Sequence, residues 1–129
     1  MKEIVEKYVS VWNSNDISGL KEICSNKSKY WDSTQEGNTM DVLANSITAT
    51  HEAFSNVLFQ VVSLVSTGDT QFFFEWQMTG TNTGEFFGYP PTGKDIKIHG
   101  LDSIKFDSLK VLEIKSFYDS GSFGKQLGL

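Results

Sequence analysis

Apolar residues recur at helical spacing in the first third of the chain. Between residues 2 and 13 they lie three or four positions apart, with lysine and glutamate between them: Ile4, Tyr8, Val11 and Trp12. Such spacing is typical of an amphipathic helix packed on a core. On the same basis three helices are predicted, over residues 2–13, from an N-cap at Asn15 or Asp16 through Ile23, and over about 40–54. A short strand at 29–33 runs into a polar loop.

The rest of the chain alternates apolar and polar residues, which predicts strands. Four are expected, over residues 58–66, 70–80, 94–106 and 111–119. A Thr-Gly-Asp turn joins the first two, a Gly- and Pro-rich segment precedes the third, and the turn DSLK (107–110) joins the last two. Helices followed by an antiparallel meander predict an α+β fold, with three N-terminal helices packed on one face of a curved antiparallel sheet.

One position interrupts this pattern. In IHGLDSIKF (98–106), a period of two places five residues on one face: Ile98, Gly100, Asp102, Ile104 and Phe106. A carboxylate between Ile98 and Ile104 would lose its hydration, so the pKa of Asp102 should rise unless hydrogen bonds compensate. The alternative is a bulge or an edge position that turns Asp102 toward solvent.

Composition narrows the function. The 129 residues suit a single domain, 1–129. The net charge of −5 argues against binding to nucleic acid or anionic membranes, and no apolar run reaches the roughly 20 residues of a membrane helix. The first residues interleave charges with apolar side chains, unlike a signal peptide. A single cysteine, Cys24, excludes an internal disulfide and favours the cytoplasm. With two histidines and one cysteine, no transition-metal cluster is expected.

Several motifs resemble a known family. The segment FFGYPPTGK (86–94), then IHGLDSIKF, SFYD (116–119) and QLGL (126–129), is similar to the SnoaL-like polyketide cyclase and ester cyclase group of the nuclear transport factor 2-like superfamily. The resemblance covers nearly the whole chain. It implies a cone-shaped fold in which helices and sheet enclose a cavity, and it implies a homodimer.

The run YVSVWNSNDISGLKEICSNKSKYWD (8–32) also resembles ketosteroid isomerases. That resemblance implies that Tyr8 is an oxyanion donor, Asp32 the proton-transferring base and Asp102 a protonated donor. Ser33 follows Asp32 where that family has proline. From the residues alone, Asp32 could equally end a strand or form an Asx-turn. For Tyr8, on the apolar face of the first helix, the residues alone favour an ordinary core tyrosine, and only its spacing to Asp32 supports the catalytic role.

A further aspartate, Asp119, matches the general acid/base residue that polyketide cyclases place before their QLG end. Alternation puts it on the face opposite Leu112, Ile114, Ser116 and Tyr118, so it reaches a cavity only if the strand bulges or ends before it. Six residues are candidates for the wall of that cavity, with ordinary core packing as the alternative: Tyr118, Ser116, Ile114, Phe74, Trp76 and Trp12.

Two functions follow. The first is a cofactor-independent cyclase or isomerase that moves a proton α to the carbonyl of a small hydrophobic compound, by acid/base chemistry in a central cavity. The second is a non-catalytic protein that binds a small apolar ligand in the same cavity, which demands only shape and one polar anchor.

Overall fold

The computed structural model describes residues 2–108 and 110–129. Its elements are α1 (Lys2–Ser14), α2 (Ile17–Ile23), β1 (Cys24–Asp32), β2 (Gln35–Asn38), α3 (Thr39–Ala53), β3 (Phe54–Thr67), β4 (Gln71–Asn82), β5 (Asp95–Asp107), β6 (Lys110–Tyr118) and α4 (Gly121–Leu127). The six strands form one sheet in the order β2-β1-β6-β5-β4-β3. The α+β prediction is therefore confirmed. The predicted turn at 107–110 includes Leu109, which lies outside the described residues.

The structure corrects the predicted sheet in three places. β1 runs parallel to β6, so the sheet is mixed and not purely antiparallel. β1 begins at Cys24, and the segment predicted as a polar loop contains β2. β2 reads QEGN, lies at the sheet edge and carries no apolar side chain, so it leaves no alternation to detect. A fourth helix, α4, closes the described chain.

The helices pack on the inner face of the sheet. α1, α2 and α3 contribute buried side chains that include Val5, Leu20 and Leu43, while β4 and β5 contribute Met78 and Ile104. Burying a side chain of this size stabilises the fold by about 1.5–3 kcal/mol. No helix in the described part of the chain is long and apolar enough to cross a membrane.

Helix starts are fixed by side chains close in sequence. The Asp16 carboxylate accepts a hydrogen bond from the backbone of Gly19 and caps α2. The Asn38 side chain accepts from the backbone N–H groups of Met40 and Asp41 and caps α3. These caps set where the helices begin above the sheet.

A bulge changes the phase of β6. Lys105 pairs with Glu113 whereas Phe106 pairs with Val111, so the register shifts between them. Val111 is consequently buried and Leu112 is 42% exposed. The prediction that Leu112 faces inward was wrong for this reason.

Candidate active site

Asp102 lies in the middle of the inner face. It is opposite Phe74 on β4 and Ser116 on β6, and only 4% of it is exposed. Trp76 donates its indole Nε1–H to the Asp102 Oδ1 atom over 2.8 Å. Asp102 therefore faces the helices and not solvent.

The surroundings of Asp102 set its acidity. Burial raises the pKa of Asp102 from 3.8 to about 6, because the charged form loses water. Hydrogen bonds with Ser116 and Trp76 lower the pKa and limit this rise, while the negative charge of Asp32 adds to it. A carboxyl group with a pKa near 6 can both accept and donate a proton close to neutral pH.

Asp32 lies at the end of β1 and is surrounded by donors. Its Oδ1 accepts hydrogen bonds from Thr34 N (2.7 Å), Thr34 Oγ1 (2.6 Å) and Gln35 N (3.2 Å). Its Oδ2 accepts from Tyr30 Oη (2.8 Å) and Gln35 Nε2 (3.4 Å). Burial raises the pKa of Asp32, but the hydrogen bonds from Thr34, Tyr30 and Gln35 outweigh it, so the pKa lies below 3.8. The Asx-turn left open by the sequence is present.

Two tyrosines lie with these carboxylates on the inner side. Tyr8 on α1 is buried, and its ring meets that of Phe74 edge-on at 6.3 Å between centroids. Burial, followed by the charge of Asp102, raises the pKa of Tyr8 well above 10. Burial also raises the pKa of Tyr30, assisted by Tyr8 and by the charge of Asp32. Both hydroxyl groups therefore remain protonated and able to donate.

The six candidate wall residues lie on or near the same side. Phe74, Ile114 and Ser116 are buried beside Asp102, and Trp76 is 8% exposed. Tyr118, at the end of β6, is half-buried and its ring lies 6.0 Å from Trp76. Burial, followed by the charge of Asp32, raises the pKa of Tyr118.

An aromatic cluster extends from Trp76 and Tyr118. Phe59 lies between Trp76 at 5.7 Å and Trp12 at 4.9 Å, measured between ring centroids. On the other side Tyr118 meets Phe123 of α4 at 6.3 Å. Ring contacts thus link three of the predicted wall residues, Trp12, Trp76 and Tyr118, into one cluster that includes the Asp102 donor Trp76.

Asp119 is not brought to this site. β6 ends at Tyr118, and Asp119 is exposed. Its Oδ1 accepts a hydrogen bond from the backbone of Gly121 at the start of α4.

His99 is exposed on the opposite face of the sheet. His51 forms a 2.6 Å hydrogen bond to the Trp12 carbonyl and joins α3 to α1. Burial raises the pKa of the Cys24 thiol to about 11, which keeps it unreactive.

Sequence reasoning did not find Tyr30 or Thr34. Tyr30 precedes Asp32 by two positions and therefore shares its face of β1, a signal that period-two alternation offers. The two donors of Thr34 follow from the Asx-turn. Within residues 2–108 and 110–129, no group of three histidine, cysteine or acidic residues is placed to hold a metal ion.

Comparison with known proteins gives one family. A family model described as SnoaL-like polyketide cyclase matches residues 2–127. No curated protein matches the chain.

Solved structures give the fold. AclR from Streptomyces galilaeus, a proposed hydroxylase, superposes with a TM-score of 0.87 at 24% identity, covering 98% of this chain and 80% of its own. IdmH from Streptomyces antibioticus, a proposed polyketide cyclase, superposes with a TM-score of 0.83 at 20% identity. The match covers 99% of this chain and 98% of IdmH. A Catenulispora acidiphila protein with a ketosteroid isomerase-like fold, solved with trimethylamine, superposes with a TM-score of 0.81 at 16% identity. The match covers 98% of this chain and 93% of that protein. The predicted cone-shaped fold is thereby confirmed.

Proposed function

Because the chain belongs to the SnoaL-like polyketide cyclase family, we propose that it is a cofactor-independent cyclase or isomerase acting on a small hydrophobic carbonyl compound. One observation carries the proposal. Asp102 is a buried carboxyl group on an otherwise apolar face, with a pKa of about 6 and Tyr8 nearby. Catalytic acids and bases are often groups whose pKa is shifted toward the working pH in this way.

In the proposed mechanism the Asp102 carboxylate takes a proton from the carbon α to the carbonyl. The electron pair of the C–H bond moves to the carbonyl oxygen, and the Tyr8 hydroxyl donates a hydrogen bond to the resulting enolate. In an isomerisation, protonated Asp102 returns the proton at another carbon. In an aldol-type cyclisation, the enolate carbon bonds to a second carbonyl carbon, and the proton goes to the new alkoxide.

Asp32 receives a different role from the one that the ketosteroid isomerase resemblance implies. Its lowered pKa makes it a weak base, and both of its oxygens already accept hydrogen bonds from Tyr30, Thr34 and Gln35. We propose that Asp32 remains ionised and that its charge helps to raise the pKa of Asp102. Asp119, exposed beyond β6, takes no part.

The test is α-proton exchange of 2-tetralone in D₂O, followed by proton NMR. This ketone is small, hydrophobic and acidic at the carbon between its ring and its carbonyl. Asp102→Asn should lower the enzymatic exchange rate by roughly 10²–10⁴-fold, the usual contribution of an acid/base residue. Asp95→Asn, at an exposed aspartate of the same strand, is the control and should leave it unchanged. Equal rates for the wild type and Asp102→Asn would remove Asp102 from the mechanism.

A non-catalytic binding role is the alternative. Trp76 and Ser116 already hydrogen-bond with the Asp102 carboxyl group, which suits a fixed polar anchor as well as a base. The phenol 2-naphthol, a stable mimic of the tetralone enol, provides the measurement. Binding of 2-naphthol, seen by its fluorescence, without exchange of 2-tetralone would favour the binding role.

We also propose that the chain forms a homodimer through the outer face of the sheet. An open groove of about 930 Å³ there has Trp31 and Phe117 in ring contact at 5.3 Å between centroids. Leu101 lies opposite Phe117, and the two are 44% and 48% exposed. The groove contains both Glu113 and Lys115. A second copy related by a two-fold axis would cover this apolar surface and bring opposite charges together.

Light scattering after gel filtration tests the dimer. The wild type should show twice the 14.4 kDa of one chain, and Leu101→Glu should show a single chain. Phe87→Glu, at an 88% exposed loop tip, is the control and should stay dimeric. A monomeric wild type would contradict the proposal.

The cytoplasmic location expected from the lone Cys24 stays a prediction.

A further inference from the structure

Gly100 lies beneath the tryptophan that holds Asp102. It is directly opposite Trp76 on β4 and Tyr118 on β6, on the inner face of β5. Asp102 follows two positions later on the same face, so it is the diagonal neighbour of Trp76. For its Nε1–H to reach Asp102 Oδ1 at 2.8 Å, the indole crosses β5 at position 100.

No side chain fits at this position with the indole in place. A Cβ atom on Gly100 would overlap Cζ2 and Cε2 of Trp76 and would lie 2.8 Å from Cη2. The indole is rigid, and its ring lies 5.7 Å from that of Phe59 and 6.0 Å from that of Tyr118. A small displacement therefore cannot relieve the overlap.

The backbone gives no other reason for glycine here. Gly100 is not among the glycines with positive φ, which are Gly37, Gly68, Gly88, Gly93 and Gly128. A glycine in the interior of a strand weakens it and often marks a site where another group approaches closely. In this strand the approaching group is the indole of Trp76.

We propose that Gly100 is a positioning residue: its missing side chain lets the Trp76 indole lie across β5 and hold the Asp102 carboxylate through Nε1–H. The inference rests on the proposed function, in which Asp102 transfers the proton. Gly100 itself acts only through Trp76.

The acidity of Asp102 reports this arrangement. Titratable groups that act electrostatically with Asp102 come from α1, β1 and β6: Tyr8, Tyr30, Asp32 and Tyr118. Against burial and the charge of Asp32, the hydrogen bonds of Ser116 and Trp76 stabilise the ionised form of Asp102. Losing the indole donor leaves Ser116, so the pKa of Asp102 rises further.

The experiment compares Gly100→Ala, Trp76→Phe and the double variant in the full chain. The pKa of Asp102 is read from its ¹³Cγ chemical shift, and the indole hydrogen bond from the Trp76 Nε1–H resonance. Each single variant should raise the pKa of Asp102 by about one to two units. Because Gly100 acts through the indole, the double variant should match Trp76→Phe alone. In Gly100→Ala the indole resonance should also lose its hydrogen-bonded shift.

Two controls separate positioning from general disturbance. Gly124→Ala is the same substitution in α4, where the new Cβ would come no closer than 4.0 Å, to Leu129. Ile98→Val trims a buried neighbour on the same face of β5. Neither should change the Asp102 titration or the Trp76 resonance.

An unchanged Asp102 pKa and an unchanged Trp76 Nε1–H resonance in folded Gly100→Ala would overturn the inference. A higher pKa of Asp102 in the double variant than in Trp76→Phe would also overturn it. If Gly100→Ala does not fold, the double variant decides. Recovery of folding when the indole becomes a phenyl ring supports the inference, and failure to recover overturns it. None of these measurements uses a substrate, so the exchange assay on Asp102→Asn judges the proposed function separately.

Discussion

Asp32 at the end of β1 and Asp102 in the middle of β5 are 3% and 4% exposed, yet their pKa values move in opposite directions. Asp32 accepts five hydrogen bonds, all from residues within three positions of it in sequence. Asp102 has two partners, Trp76 and Ser116, and both come from neighbouring strands.

The comparison shows that burial alone does not produce an acid/base group. Burial is the largest influence on both carboxyl groups and raises the pKa of each. Two differences set the net direction: Asp102 is buried more deeply than Asp32, and Asp32 has more donors, each of which stabilises the charged form. A tight turn supplies many donors to Asp32, while the apolar inner face supplies few to Asp102.

The largest expected effect concerns the stability of Asp102→Asn. Folding raises the pKa of Asp102 from 3.8 to about 6, so the folded protein keeps a proton that the unfolded chain has released. The contribution of Asp102 to the free energy of unfolding therefore falls as the pH rises from about 4 to about 6, and stays level above that. At about 1.36 kcal/mol per unit, the loss is about 3 kcal/mol. Asparagine carries no such charge and should avoid this loss.

Urea unfolding of both proteins between pH 4 and pH 8 measures this. The advantage of Asp102→Asn should grow by about 3 kcal/mol over that range. Asp95→Asn, at the exposed aspartate of β5, should follow the wild type throughout. If the difference in unfolding free energy between Asp102→Asn and the wild type does not change with pH, folding does not raise the pKa of Asp102. The contrast between Asp102 and Asp32 would then be wrong.

A smaller effect is expected at the other carboxylate. Thr34→Val removes the 2.6 Å hydroxyl donor of Asp32 but keeps the shape of the side chain and the backbone donor. It should lower the free energy of unfolding by about 1 kcal/mol at pH 6. Since hydrogen bonding lowers the pKa of Asp32, this loss should shrink as the pH falls from 3.8 through the lowered pKa of the folded protein, where the carboxylate becomes protonated.

Thr81→Val is the matched control for that substitution. The Thr81 hydroxyl also donates to an aspartate, Asp95, over 2.7 Å, but the pair is exposed to water. Its removal should change the stability by less than about 0.5 kcal/mol. Equal losses of unfolding free energy in Thr34→Val and Thr81→Val would show that the hydrogen bond in the Asp32 turn stabilises the fold no more than an exposed one.

The same contrast explains what the sequence could predict. The Asx-turn at Asp32 uses residues adjacent in the chain, so a local pattern can indicate it. The inward direction of Asp102 follows from its alternation with Ile98 and Ile104. The Trp76 donor could not be assigned, because the pairing of Trp76 with Gly100 depends on the register of two strands.

The fold shows the same division between local and distant information. Helices α1 and α3 follow from regular spacing of apolar residues. The bulge that turns Leu112 outward inserts a position into β6, and period-two alternation assumes that none is inserted. The parallel pairing of β1 with β6 joins segments far apart in the chain, which no local pattern encodes.

That parallel pair also bears on the order of folding. Tyr30 and Asp32 are made early in synthesis, whereas β6, one of the two strands that pair with β1, is the last strand of the sheet. Contacts between such distant segments form against the entropy of closing a long loop, and they slow folding. Helices and the β3–β4 hairpin can form from nearby residues, but Asp32 and Asp102 come together only once β6 has joined the sheet. The pair of opposed carboxyl groups therefore forms late, after β6 has been made.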